Sequence, residues 1–188
     1  MIVQRFMSPI PPFETNQYIV GCPATKLALM VDAGRWDARM EDFLADHNLT
    51  LTTIFITHGH FDHVEGLADA LKATGADAFS ATGDVGGVAT RVITPQETLT
   101  VGTLTGRVVA TPGHTPDGLS LIFPGVVFSG DALFSGSVGG TATPALAAEQ
   151  LAHVRAHLLS LPDDVEVLSG HGPVTTIGVE RRFNPFLK

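Results

Sequence analysis

Thr57-His58-Gly59-His60-Phe61-Asp62-His63 sets three imidazoles and one carboxylate within six residues, directly behind the apolar run Ile54-Phe55-Ile56. Polar groups gathered so tightly at the end of a strand need hydrogen bonds or a cation, because burying them bare is costly. A single histidine in such a loop reads as a structural residue; four candidate ligands in six positions read as a metal site. The spacing lets His58 and His60 face one ion while Asp62 and His63 face a second. Zinc accepts both imidazole nitrogen and carboxylate oxygen readily.

Three further loops repeat this context of an apolar run followed by glycine. They are Thr111-Pro112-Gly113-His114, Ser129-Gly130-Asp131 and Ser169-Gly170-His171-Gly172. Each is weak alone, since Pro-Gly-X and a lone Asp are ordinary turn signals. Together they describe a rigid scaffold that brings ligands from distant segments to one edge.

Around these loops, β-type runs are expected at 16–20, 27–31, 52–57, 76–80, 104–110, 119–123, 126–129 and 165–168. Amphipathic helices are expected at 36–47, 64–74 and 144–159, the last with Pro144 at its first position behind Thr143 as cap. In that helix Ala147, Leu151, Val154 and Leu158 mark the buried face. With no repeat and no composition break, 188 residues predict one domain, 1–188, of sheets covered by helices.

The formal charge of −8, with only three lysines, argues against nucleic acid as a partner. No run approaches the ~20 apolar residues of a membrane span, and the N-terminus lacks the pattern of a signal peptide. Cys22 is the only cysteine, which excludes an internal disulfide; it reads as a small residue of the Gly21-Cys22-Pro23 turn. The expected setting is the cytoplasm, with no membrane partner and no stated oligomeric state.

The order His58-X-His60-X-Asp62-His63, His114, Asp131, His171 resembles the metallo-β-lactamase superfamily and, within it, the short glyoxalase II-like hydrolases. Supporting stretches are Thr15-Asn16-Gln17-Tyr18, Asp32-Ala33-Gly34, the glycine-rich run from Gly130 to Gly139, and the run from Gly170 through Asn184-Pro185-Phe186. The resemblance covers nearly the whole chain. It implies an α/β (α+β) fold, a four-layer αββα sandwich with the metal site at one edge of the sheets. It also implies that His58, His60 and His114 bind one metal, that Asp62, His63 and His171 bind a second, and that Asp131 bridges them. Asp32 would orient a ligand, unless it is a plain turn aspartate. The implied cofactors are two divalent ions, zinc or iron. The implied reaction is hydrolysis of a small acyl thioester or ester by a hydroxide shared between the ions, with Asp62 orienting it.

Departures from the relatives bear on the substrate. Gly139 is followed by Gly140-Thr141-Ala142-Thr143, where short relatives carry Arg and then Thr-Asp. The chain also ends soon after His171, without the glutathione-gripping helices of longer glyoxalase II enzymes. Glutathione's carboxylates therefore lack evident partners, and a smaller or different thiol is expected. Arg181 and Arg182 could compensate, but read more simply as solvated. Glu65 reads as a surface residue, His153 and His157 as a solvated helix pair, and His47 as a helix end. Alternatives on the same residues are a mononuclear iron persulfide dioxygenase-like enzyme using His58, His114 and Asp131, or a lactone or ester hydrolase. A closed structural metal module fits less well, because seven ligands for two ions leave positions open.

Overall fold

The computed structural model describes residues 1–10 and 13–188. The first half runs β1 (Ile2–Ile10), β2 (Phe13–Gly21), β3 (Leu27–Val31), α1 (Ala38–Asp46), β4 (Thr50–Phe55), α2 (Phe61–Val64), α3 (Leu67–Thr74) and β5 (Asp77–Ser80). Three short strands follow, β6 (Asp84–Val85), β7 (Val88–Ala89) and β8 (Arg91–Val92), and then β9 (Thr98–Val101), β10 (Leu104–Ala110), β11 (Leu119–Phe123) and β12 (Val126–Gly130). The chain closes with α4 (Pro144–His153), a π turn over Val154–Leu158, β13 (Glu166–Ser169), β14 (Thr175–Thr176), α5 (Ile177–Phe183) and a 3-10 turn over Pro185–Leu187.

Two six-stranded sheets result, in the orders β1-β2-β3-β4-β5-β8 and β14-β13-β12-β11-β10-β9. Period-two alternation divides their side chains among three apolar layers. In β3, Ala28 and Met30 join Met40, Leu44, Leu67 and Ala70 of the helices on the outer face of the first sheet. Leu29 and Val31 point the other way, into the space between the sheets with Phe55, Leu121 and Phe128. In β12, Val126 and Phe128 face that central layer. Val127 faces outward to Val154, Leu158 and Ile177 of the second helical layer. Helices, sheet, sheet and helices make the expected αββα sandwich.

Local signals set the element ends. Asp37 accepts the Arg39 N–H at the start of α1, and Thr143 accepts the Leu146 N–H ahead of Pro144. The single helix expected at 64–74 is broken. Gly66 separates α2 from α3, and a Cβ there would stand 2.6 Å from the backbone of Arg35 and Trp36. Close packing against the 35–36 segment, rather than helix propensity, sets this boundary. The helix expected at 144–159 likewise changes to a π turn at Val154.

Strands β3 and β4 are parallel, as are β12 and β13, while β11 runs antiparallel to both β10 and β12. The C-terminal ends of β3 and β4 therefore lie together in the first sheet, and those of β10, β12 and β13 together in the second. Two backbone bonds join the sheets at this edge, Leu119 N–H to the Thr57 carbonyl (2.8 Å) and Asn16 N–H to the Gly170 carbonyl (2.7 Å).

Candidate metal centre

The loops leaving these strand ends carry every sequence-predicted site residue. Asp32 follows β3, the His58–His63 cluster follows β4, His114 follows β10, Asp131 follows β12 and His171 follows β13. The structure brings all eight together.

Two groups of nitrogens and oxygens emerge. His60 Nδ1 lies 3.2 Å from His58 Nε2 and 2.9 Å from His114 Nε2. Asp62 Oδ2 lies 3.3 Å from His171 Nε2 and 3.6 Å from His63 Nε2. Asp131 sits between them. Its Oδ2 is 3.4 Å from His114 Nε2 and 3.3 Å from His171 Nε2, and its Oδ1 is 3.4 Å from His63 Nε2. The sets His58/His60/His114 and Asp62/His63/His171, and also His58/His63/Asp131, each converge closely enough to hold a metal ion.

Four imidazoles are oriented from behind, so that Nε2 turns inward. His63 Nδ1 meets Asp32 Oδ2 at 2.8 Å, and His114 Nδ1 meets the Gly140 carbonyl at 2.6 Å. His171 Nδ1 meets the Glu14 carbonyl at 2.9 Å, and His58 Nδ1 meets Thr57 Oγ1 at 3.0 Å. His60 instead presents Nδ1. Asp32 is thus more than a turn residue: at φ +57° its carboxylate also accepts the Thr57 N–H and hydroxyl, at 2.8 and 2.9 Å. Thr15 donates its hydroxyl to Asp62 Oδ2 at 2.6 Å. Close approach demands glycine at position 170, where a Cβ would stand 2.2 Å from Asp131 Oδ1.

The donor set fits divalent cations. His63 Nε2 and Asp131 Oδ1 are buried without a hydrogen-bond partner, although they face each other. Such a nitrogen–oxygen pair is expensive to leave bare, and a cation between them satisfies both. Without metal, protons take that place. Burial pulls His63 down, but Asp32 and Asp131 outweigh it and hold the imidazole up at about 10. Burial likewise opposes charge on His171, but hydrogen bonds to Asp131 and Asp62 hold it at about 10. Asp62 and Asp131 stay well below the ordinary carboxylate range despite burial, through their histidine partners. Burial and the neighbouring imidazoles push His58 and His60 down.

Sequence reading did not assign roles to Thr15 or to the Glu14 and Gly140 carbonyls. Thr15-Asn16-Gln17-Tyr18 stood out only as a stretch shared with relatives. Its function is now visible, since Asn16 Nδ2 donates to the Ser169 and Gly172 carbonyls and Tyr18 OH to the Ser169 carbonyl, fixing the His171 loop.

Residues outside the cluster divide between expectation and correction. Cys22 is buried against Thr103, and Glu65 is exposed. His47 ends α1, with Nδ1 3.0 Å from the Phe43 carbonyl. His153 and His157 are not a solvated pair; they are half-buried, with rings 5.6 Å apart and covering each other. Arg181 and Arg182 both pair with Asp163, and Arg181 also donates to the Leu161 carbonyl at 2.7 Å. They are engaged locally, away from the histidine cluster.

This architecture is an αββα sandwich with a histidine and aspartate cluster at its edge able to bind metal ions. The family model described as "Metallo-beta-lactamase superfamily" matches residues 10–87. Hydroxyacylglutathione hydrolase GloC of Haemophilus influenzae is 30% identical over 203 residues, covering 95% of each chain. A hydroxyacylglutathione hydrolase of Pseudoalteromonas translucida is 36% identical over 77% of this chain but only 55% of its own length, so the chain spans about half of that relative. Among solved structures, the BLEG-1 B3 metallo-beta-lactamase superposes at TM-score 0.86, with 31% identity and 100% of both chains covered. ETHE1 from Myxococcus xanthus gives 0.88, with 30% identity over 98% of this chain and 84% of its own. TTHA1623 in a di-iron-bound form gives 0.79, with 30% identity over 97% and 100%. The chain belongs to the metallo-β-lactamase superfamily.

Proposed function

We propose that the chain is a di-metal hydrolase of small acyl thioesters. The observation that carries this is Asp131, whose two oxygens lie within 3.4 Å of His63, His114 and His171 and so reach both groups. In this reading His58, His60 and His114 would hold one ion and Asp62, His63 and His171 the other, with Asp131 placed between the two groups. When bound there, two divalent ions would supply an acidified water and a Lewis acid for the thioester carbonyl.

The chain's residues prepare that reaction. Asp32 fixes the tautomer of His63, and the Gly140 and Glu14 carbonyls fix those of His114 and His171. Asp62, anchored by the Thr15 hydroxyl, would orient the attacking water. Hydrolysis forms a C–O bond and breaks the C–S bond. A thiol's pKa of ~8.5 lets the sulfur leave as thiolate, so the chain need not provide a separate general acid. The buried free cysteine and the acidic balance suit a cytoplasmic enzyme acting on a small molecule.

Zinc-loaded protein is expected to hydrolyse S-lactoylglutathione or a plain acyl thioester, and chelation to abolish this. His60→Ala should lower both metal content and turnover, the latter by about 100-fold or more. An unchanged rate in His60→Ala with full metal loading refutes the assignment.

A second reading, a mononuclear iron oxidoreductase on His58, His114 and Asp131, is supported by the likeness to the ETHE1 structure. Oxygen consumption with a persulfide, by protein holding one iron, separates it from hydrolysis. Lactones or esters on the same site are separated by their relative rates.

A further inference from the structure

A cavity of about 310 Å3 adjoins the metal centre on the α4 side. Val138, Ala147, Leu151 and Phe186 line it together with the Gly139–Gly140 backbone and Gln150, and no lining residue carries a charge. Its wall is shared with the site already described, because Gly140, which lines the cavity, holds His114 Nδ1 through its carbonyl at 2.6 Å. One peptide unit and one imidazole ring therefore separate the apolar space from the cluster. Gly140 is exposed, and nothing stands within 4 Å of where its Cβ would be, so the rim shared by the cavity and the His114 loop is open to solvent.

The wall is rigid where it matters. Gln150, buried in α4, donates Nε2 to the Gly139 carbonyl at 3.0 Å and to the Ala132 carbonyl at 3.3 Å. This is also the stretch where Gly140-Thr141-Ala142 provides no cation. A ligand carboxylate placed here would lose water and gain no cationic partner, only the Thr141 hydroxyl, inside a chain of net charge −8. An aliphatic chain would lose only unfavourable contact with water. The cavity volume is within the range of small-ligand sites.

We infer that this cavity seats an uncharged aliphatic arm of the substrate, so that the chain selects thioesters with an apolar acyl or thiol arm over those whose thiol carries carboxylates. This rests on the thioester reading above and names its substrate class. The acyl and thiol sides share one chemistry here, and the substrates below separate them.

The test uses the full zinc-loaded chain and two homologous series. In one, the acyl chain lengthens from acetyl to octanoyl on a methanethiol leaving group; in the other, acetyl is kept and the alkanethiol lengthens. One series should gain about threefold to fourfold in kcat/KM per methylene until the cavity fills, and that series identifies the arm. A terminal carboxylate on the same arm should cancel the gain. Ala147→Trp, which fills the space without removing a hydrogen bond, should flatten the slope. No length dependence in either series in the wild type overturns the proposal, as does an unaltered slope in a folded Ala147→Trp.

Binding of hexanamide, followed through the methyl resonances of Val138, Ala147 and Leu151, needs no turnover. Shifts at these methyls without hydrolysis of any thioester leave the apolar subsite standing and remove the thioesterase reading. Hydrolysis without these shifts removes the subsite alone.

Discussion

Asp32 Oδ2 lies 2.8 Å from His63 Nδ1, and both side chains are sealed from solvent. The same carboxylate holds the backbone and hydroxyl of Thr57, which in turn touches His58. One residue at the end of β3 thus orients ligands in both groups of the cluster.

Replacing Asp32 by alanine should therefore cost about tenfold to a hundredfold in metal affinity, with the His63 side of the cluster affected first. Zinc titration against a competing chelator measures this. Wild-type affinity in Asp32→Ala would show that the contact orients nothing.

Metal-stripped protein should be most stable near pH 6.5. His63 and His171 are held up at about 10, so the stability they lend is fully present below their unfolded value of ~6.5 and is lost as pH climbs to about 10. His58 and His60 are pushed down, so below ~6.5 the unfolded chain takes up protons that the folded chain refuses, and stability falls again. Zinc should remove the alkaline slope, since the metal then occupies the inward nitrogens. Denaturant midpoints of chelator-treated protein from pH 5 to 10 check this, and a midpoint that rises steadily through pH 9 contradicts it.

Gln150 joins the residue after Asp131 to the residue before Gly140, and Gly113 packs against its Cβ with no room for a side chain. Gln150→Leu keeps the volume but deletes both bonds. It should cost about 1–3 kcal/mol of stability and loosen metal binding on the His114 side, whereas a purely packing role would leave metal affinity untouched. Parallel unfolding curves and zinc titrations distinguish the two.

Much of this was legible in the residues. Strands over 27–31, 104–110 and 119–123 match the observed bounds, because the apolar side chains of each are divided between the central layer and one outer layer. The metal cluster was legible because five histidines and two aspartates follow apolar runs. Strand β1 was not foreseen: most of its described side chains are exposed at a sheet edge, so no buried alternation marks it. Strand β9 and helix α5 are short and were also missed. The carbonyls of Glu14 and Gly140 could not be read at all, since every residue has one and only tertiary folding aims it at an imidazole. The break at Gly66 depends in the same way on a segment thirty positions upstream.

The central claim is that Asp131 joins two metal-holding groups in one site. Metal content per chain, measured by inductively coupled plasma mass spectrometry on protein purified without added metal, tests it most directly. Two ions per chain are predicted, with a fall to one or fewer in Asp131→Ala. A single ion in the wild type, or two ions retained by a folded Asp131→Ala, would contradict it.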